Sequence, residues 1–310
     1  MTITVASYLK GIPEKNNNPQ KPAIITGFIE GVLRCGDDGT VVTGYEPIDS
    51  DVAVVQGYVH QDSKNTPHLM LRKRVFEQQQ RNNKRSIIVD SNLFLYADPN
   101  NSKGYLRYSY DGIFPCTGEY CNDTPDPNRW EKISKELGIS LKPWTNHGRY
   151  VLICCQRNGG WSMNGQELMP WLFKLIKKIK SRSDRPIVVR FHPGDGHSPV
   201  HARKLAARRM PGVTISNADH IQQDLKNAHV VISYNSSPGV VAAIEGVHTI
   251  VLDPDHSQAA PVSTHHLNAI DNPPMYDREK WIQQMAQMHW NIKELKDGTA
   301  WKHLRKYAMK

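Results

Sequence analysis

The 310-residue chain has no run of about 18 apolar residues, the length a helix needs to cross a bilayer. Its opening stretch, MTITVASYLKGIPEK, lacks the basic start and the apolar block of a secretory signal. These absences point away from membranes and toward a soluble cytoplasmic protein. Cysteine is scarce. The five present include an adjacent pair, Cys154 and Cys155, and a pair separated by four residues, Cys116 and Cys121, so no paired Cys-x-x-Cys zinc pattern exists and the thiols read as reduced and structural. Acid is short relative to base: 30 Asp and Glu against 39 Lys and Arg give a formal charge of +9, which favours polyanionic partners, nucleic acid or phosphorylated small molecules. Internal repeats and long low-complexity tracts are also missing.

What is present is enough chain for two domains, each with its own core, and therefore for a cleft. From residue 149 the pattern alternates. RYVLICCQ reads as a strand, GQELMPWLFKLIKKIKS as an amphipathic helix and RPIVVRF as a strand; PVHARKLAARRM, GVTIS, HIQQDLKNA, HVVISY, SPGVVAAIEG and HTIVLD continue helix and strand in turn. That is βαβ alternation with a parallel sheet. The first half is less regular, with apolar runs PAIITGF, DVAVVQGYV and RSIIVDSNLFLY and a helix PHLMLRKRVFEQQQRNN, and is read as a second, more decorated α/β domain. Turn-rich CTGEYCNDTPDPNRW, a helical EKISKELG and ISLKPWTNHG connect the halves. The expected domains are 1–146, which would bind the acceptor, and 147–290, which would bind the donor. Residues 291–310 are expected to form a helix that packs back on the body, and REKWIQQMAQMHWN before them reads as helical.

Three strand ends carry polar groups suited to a ligand. SYNSSPGVVAAIEG follows a strand and opens a helix, with Ser237 as N-cap and Pro238 as first helical residue. The helix N-terminus, with Asn235, Ser236 and Ser237, offers donors to a phosphate, and Gly239 is expected to let a ligand approach. Val240, Val241, Ile244 and Val247 should face the core. VVRFHPGDG ends another strand with Arg190 and His192, both able to donate to a diphosphate. CCQRNGGWSMNG follows a third, where Gly159 and Gly160 permit a tight turn and Gln156, Arg157 and Ser162 supply polar groups. Each signal has an ordinary structural explanation, a capped helix or a solvated histidine; their convergence on one sheet edge is what marks a site.

These residues carry a resemblance. NSSPGVVAAIEG resembles the S-S/T-x-G-x-E-A-x-x-x-G signature of capsule-polysaccharide-type glycosyltransferases, and RFHP is similar to their R-x-H-P element. Asp224, Leu225 and Ala228 match their D-L-x-x-A segment, and the order along residues 149–253 agrees. Upstream, IIVDSNLFLY and YLRYSYDGIFP more faintly resemble the E-x-G-F/L/Y and S-x-x-x-x-G-I/V segments of the same family. YNSSP and QRNGGWSM also resemble predicted glycosyltransferases of T-even-type bacteriophages and their cyanophage relatives, expected to decorate hydroxymethylated pyrimidines in phage DNA. The resemblance implies a GT-B architecture, two Rossmann-like domains facing a cleft, with a nucleotide-sugar donor, UDP-linked first among the choices, held mainly by the second domain. It implies no catalytic metal and no further cofactor, and no Asp-x-Asp stands at a convincing site. A phage-encoded enzyme would act in the cytoplasm of the infected bacterial host. The sequence departs from the signature at Val241, where the family has a ribose-holding glutamate; Glu245 should point elsewhere, leaving Asp219 or Asp253 as replacements. His248 stands where a proline is usual.

Sugar transfer needs a base for the acceptor hydroxyl and stabilisation of the departing diphosphate. Arg190, His192, Ser236 and Ser237 are assigned to the leaving group, with His192 counted among the catalytic residues. Asp90, closing the RSIIVD strand, is the first choice of base; Asp111 is second and Glu30 third, although each is also suited to turn capping. For the acceptor, the basic segments LRKRVFEQQQRNNKR, KLIKKIKSRSDR and RKLAARRM can track a phosphate backbone, and aromatics in GYLRYSYDGIF and Trp161 can stack on an extruded base. The leading expectation is transfer to 5-hydroxymethylcytosine in phage DNA. The alternatives are a capsule or surface polysaccharide acceptor, and an inactive nucleic-acid-binding protein of the same fold.

Overall fold

The computed structural model describes the chain apart from residues 16–17, 60–64, 99 and 159–160, and apart from the Trp161 side chain. The expected glycine turn at Gly159 and Gly160 therefore lies outside the described residues. The strands are β1 (Thr4–Tyr8), β2 (Asp38–Val42), β3 (Val52–Gln56), β4 (Arg85–Asp90), β5 (Leu106–Tyr110), β6 (Tyr150–Cys154), β7 (Ile187–Arg190), β8 (Val213–Ile215), β9 (Ala228–Ser233), β10 (His248–Val251) and β11 (His289–Trp290). The helices are α1 (Gln20–Arg34), α2 (Pro67–Arg81), α3 (Pro127–Leu137), α4 (Leu168–Lys180), α5 (Ser198–Ala207), α6 (Ile221–Leu225), α7 (Pro238–Ile244), α8 (Glu279–Gln287), α9 (Ile292–Lys296) and α10 (Thr299–Leu304). They fall into two compact units, Met1–Leu137 with Gln283–Lys310, and Gly138–Ile282.

In the first unit the sheet order is β11-β5-β4-β3-β1-β2. Strands β1 to β4 run parallel, and β5 and β11 each add antiparallel to their neighbour. The apolar run PAIITGF lies in α1, because Ile24, Ile25, Phe28, Ile29 and Val32 recur at helical spacing and are all buried. Gly31 lets α9 come close: a Cβ there would stand 1.9 Å from the Leu295 carbonyl oxygen. The C-terminal segment also completes this core, with Trp301 edge-on to Phe28 at 5.8 Å and its indole N–H donated to Asp37 at 2.8 Å. Residues 283–290, expected with the second domain, cluster here instead. His289 and Trp290 form an edge strand on β5 where the sequence reads as helix, because pairing with Leu106 and Arg107 outweighs local periodicity.

The second unit is a wholly parallel sheet, β10-β9-β6-β7-β8, with every element from β6 to β10 where the alternation places it. Strand β9 is buried along its full length, and α4 buries Leu168, Leu172, Leu175, Ile176 and Ile179 at helical spacing. Edge strand β10 is covered: Val251 donates its N–H to the Thr264 carbonyl at 2.9 Å. Residues 138–146, expected in the first domain, belong to this unit because they are fastened to the end of α7. Lys142 N–H bonds the Ile244 carbonyl and Thr145 N–H the Gly246 carbonyl, at 2.9 and 2.8 Å. Gly246 makes this possible, since its φ of 77° is left-handed and a Cβ would fall 2.0 Å from the Pro143 carbonyl oxygen.

Candidate functional site

Strand β6 is the first strand of the second unit, yet it lies centrally, with β7 on one side and β9 on the other. The strand order therefore reverses at β6, and the right-handed crossovers usual for parallel sheets make the carboxyl ends of β6 and β9 the place where such a sheet forms its ligand crevice. Gln156 lies two residues past β6 and Asn235 two past β9. The buried Gln156 side chain spans the crevice. Its Oε1 accepts the Asn235 backbone N–H at 3.0 Å, and its Nε2 donates to Ser162 Oγ at 3.0 Å. Asn235 Nδ2 donates in turn to the Ser162 carbonyl and to Asp253 Oδ2, both at 2.9 Å, and Asp253 Oδ1 meets His256 Nδ1 at 2.9 Å. One polar chain thus fixes the loops after β6, β9 and β10.

A second tie brings in the loop after β7. Asp195 accepts the Asn158 N–H through Oδ2 and the His197 N–H through Oδ1, each at 3.0 Å. Burial raises the pKa of this carboxyl, but these N–H bonds outweigh burial and hold it below the usual carboxylate range. His192 sits on the same loop. Its Nδ1 accepts the Gly194 N–H at 2.9 Å, which leaves Nε2 to carry the proton of the neutral ring. Burial, followed by the neighbouring Arg157 charge, pushes the imidazole below its ordinary value. A Cβ at Gly194 would lie 2.9 Å from Arg157 Nη2 and 3.2 Å from His192 Cε1, so the glycine lets both groups close over it. Arg157 is exposed and has no carboxylate partner among the described residues.

The opening of α7 leaves hydroxyls unused. Ser237 occupies the N-cap without a side-chain capping bond, and Pro238 follows as expected. Ser236 Oγ is buried with no hydrogen-bond partner among the described residues. Val240, Val241, Ile244 and Val247 are buried as expected.

Two residues do something other than the sequence suggests. Arg190 is committed within the protein: Nη1 donates to Asp224 Oδ2 at 2.8 Å and to the Ala218 carbonyl at 2.9 Å, and Nη2 to the Asp219 carbonyl at 3.1 Å. It anchors the loop after β8 and has little left for a leaving group. Gly239 serves close packing, because a Cβ would stand 3.2 Å from both Ala259 Cβ and Ser233 Oγ. Asp253 and Asp195 are the functional-looking groups that the sequence underweights. Strand-end position was the available signal for Asp253, the first residue but one after β10.

In the first unit the candidate bases separate. Asp90, at the carboxyl end of β4, lines a cavity of about 550 Å³ and pairs with Arg107. Burial opposes ionisation of Asp90, but the Arg107 charge outweighs it and the carboxyl is held below its usual range. Asp111 bonds Ser86 N–H and Arg85 Nε, both at 2.8 Å, at the opposite end of β4 from that cavity. Glu30 lies on α1, 3.7 Å from Lys296. The tyrosines of the aromatic segment do not offer a stacking surface: Tyr105, Tyr108 and Tyr110 are fully buried, the last two in the core, and only Phe114 is half-buried. The basic run on α2 is not a continuous exposed face, since Arg72 is buried and Arg74 is bonded to Glu46.

No protein-family model matches the chain, and no curated protein does. Among solved structures it is similar to the KpsC β-Kdo 2,4-transferase of Thermosulfurimonas dismutans, at 14% identity and a TM-score of 0.54, over 95% of this chain and 98% of that one. It is similar also to the KpsC β-Kdo 2,7-transferase of that organism, at 12% identity and a TM-score of 0.50, over 96% and 98%. The fold is GT-B. At such identities the likeness concerns the fold, and the chemistry has to come from the crevice itself.

Proposed function

We propose that the chain is a glycosyltransferase that takes a sugar from a nucleotide-sugar and passes it to an acceptor hydroxyl. The observation that carries this reading is the Gln156 to Asn235 bond at the β6/β9 crevice, with Arg157, the His192 Nε2–H and the Ser236 and Ser237 hydroxyls beside it. These are donors and a cation, the groups a leaving diphosphate needs as its negative charge grows. Asp253, already oriented by Asn235 and His256, is the acidic group nearest in role to the one displaced at Val241, and would take ribose hydroxyls. Glu245 is turned away, paired with Lys142. UDP is the nucleotide to try first. The base is assigned to Asp90, which is ionised and lines the first-unit cavity.

For the acceptor we put 5-hydroxymethylcytosine in DNA first. The support is the excess positive charge and the exposed row Lys174, Lys177, Lys178 and Lys180 on α4, together with the phage-type resemblance of the strand-end loops. The test is mass spectrometry of nucleosides from duplex DNA containing 5-hydroxymethylcytosine, after incubation with the protein and a panel of UDP and GDP sugars. A hexose or pentose increment on that nucleoside supports both donor and acceptor. Measurable donor binding without an increment moves the acceptor to a surface polysaccharide, and absence of donor binding overturns the enzyme reading.

A further inference from the structure

The parallel part of the first sheet also reverses its order, between β1 and β3, and the cavity of about 550 Å³ lies at the carboxyl ends of these parallel strands. Its wall includes Arg72, Lys21, His68, Gln56, Asn92 and Asp90. Arg72 is the decisive group. It is only 8% exposed, and its Nε donates to the Gly11 carbonyl at 2.7 Å, but neither terminal nitrogen has a hydrogen-bond partner among the described residues. Gly57, at φ 89°, makes room for it, since a Cβ would stand 2.5 Å from Nη1. The side chain is buried along its length while both terminal nitrogens stay open to the cavity, so the fork is available to an oxyanion that displaces water from it.

The surrounding charge does not fill it. Asp90 is near enough to act on Arg72 electrostatically, yet its own pairing is with Arg107. Lys21 and His68 have no carboxylate within ion-pair distance among the described residues, and both Arg72 and Lys21 bear on His68 through charge. Gln56 Oε1 is buried without a partner, and Asn92 Nδ2 reaches Asn101 Oδ1 at 3.1 Å, so amide groups suited to hydroxyls stand beside the cations.

We propose that this cavity binds a hydroxyl-rich molecule through an oxyanion, a carboxylate or a phosphate monoester, seated bidentate on the terminal nitrogens of Arg72 with Lys21 and His68 at its side. The anion would be a recognition handle of the acceptor, a step that rests on the reading of the first unit as the acceptor-binding one.

Calorimetry on the full chain tests this, with UDP present in excess to occupy any nucleotide site of the second unit. The probes are glucuronate, glucose 6-phosphate, 5-hydroxymethyl-dCMP and inorganic phosphate, with glucose and 5-hydroxymethyl-deoxycytidine as neutral counterparts. The expected result is binding of at least one anionic probe tenfold or more tighter than its neutral counterpart, and which one binds distinguishes a sugar acid from a phosphate ester. Arg72→Gln should lose that preference, and Arg72→Lys should recover it in part. Because Arg72 also holds Gly11, a loss of fold in those variants is read from their thermal melts, and in that case Lys21→Gln with His68→Gln decides and should weaken the anionic probe about fivefold. Equal binding of anionic and neutral probes, or an anion affinity untouched in the double variant, overturns the proposal. UDP binding to the unsubstituted chain is read separately, so a failure of the second-unit reading is distinguishable from a failure of this one.

Discussion

Arg190 and Asp224 meet at 2.8 Å with side chains only 13% and 8% exposed, and that pairing decides what Arg190 does. Asp224 also accepts the Ser216 hydroxyl at 2.8 Å, so the arginine closes a small buried network under the loop after β8. The two sequence elements RFHP and DLKNA are thus partners in one structural device.

The first prediction contrasts two arginines. Arg190→Ala leaves the Asp224 charge buried and unpaired, and should destabilise the chain by about 3 kcal/mol. Arg157→Ala removes an exposed cation with no carboxylate partner among the described residues. It should leave stability within about 0.5 kcal/mol while weakening nucleotide-diphosphate binding about tenfold. Denaturant melts and calorimetry with UDP check both; equal stability losses would contradict the assignment.

His192 predicts a proton count. In the free protein burial and Arg157 keep the ring neutral at and somewhat below its ordinary value of 6.5. A bound diphosphate adds negative charge beside Nε2 and should raise that pKa, so binding takes up protons as pH falls through the window between the two values. Calorimetry in buffers of different ionisation enthalpy near pH 6 should show the uptake, and His192→Ala should abolish it. Turnover should fall on the order of 100-fold in that variant, and comparably in Ser236→Ala with Ser237→Ala.

Gln156 should act through geometry. Gln156→Leu keeps the volume but leaves the Asn235 N–H without its acceptor, at a cost of roughly 1–3 kcal/mol. Because the freed loop carries Ser236 and Ser237, UDP affinity should drop along with thermal stability, whereas Gln156→Glu, which retains that acceptor but loses the donor to Ser162, should recover only part of the stability.

The second unit was readable because its strands are short continuous apolar runs and its helices keep one apolar stripe; α4 and β9 show both features. The strand-end rule then singled out the loops after β6, β7 and β9, which hydrogen bonds tie to one another. It did not reveal which side chains are spent internally, since Asp224 lies 34 residues from Arg190 and spacing carries no sign of their contact. The cavity arginine was hidden for a related reason. Arg72 stands in LRKR beside the buried stripe of Leu71, Val75 and Gln79, where a basic residue looks like part of a solvated face until the sheet covers it. The β11 strand was obscured by the helical pattern before it.

The last prediction concerns how the C-terminal segment is held. Arg305 grips Asp37 with Nη2 at 2.9 Å from Oδ1 and Nε at 2.5 Å from Oδ2, while Trp301 and the Ile3 N–H donate to the same carboxylate. Burial raises the carboxyl pKa, but Arg305 and these N–H groups outweigh it and bring it from 3.8 to about 2. A depressed carboxyl stabilises the folded state above its unfolded value and loses that contribution as pH falls through the folded one. About 2 kcal/mol should therefore be present above pH 4 and disappear progressively toward pH 2. Asp37→Asn should be less stable than the unsubstituted chain at pH 7 by at least that amount, because it also leaves Arg305 without its partner, and the difference should shrink between pH 4 and pH 2. Urea midpoints across that range measure it; a gap that stays constant with pH would mean the carboxylate charge does not hold the segment in place.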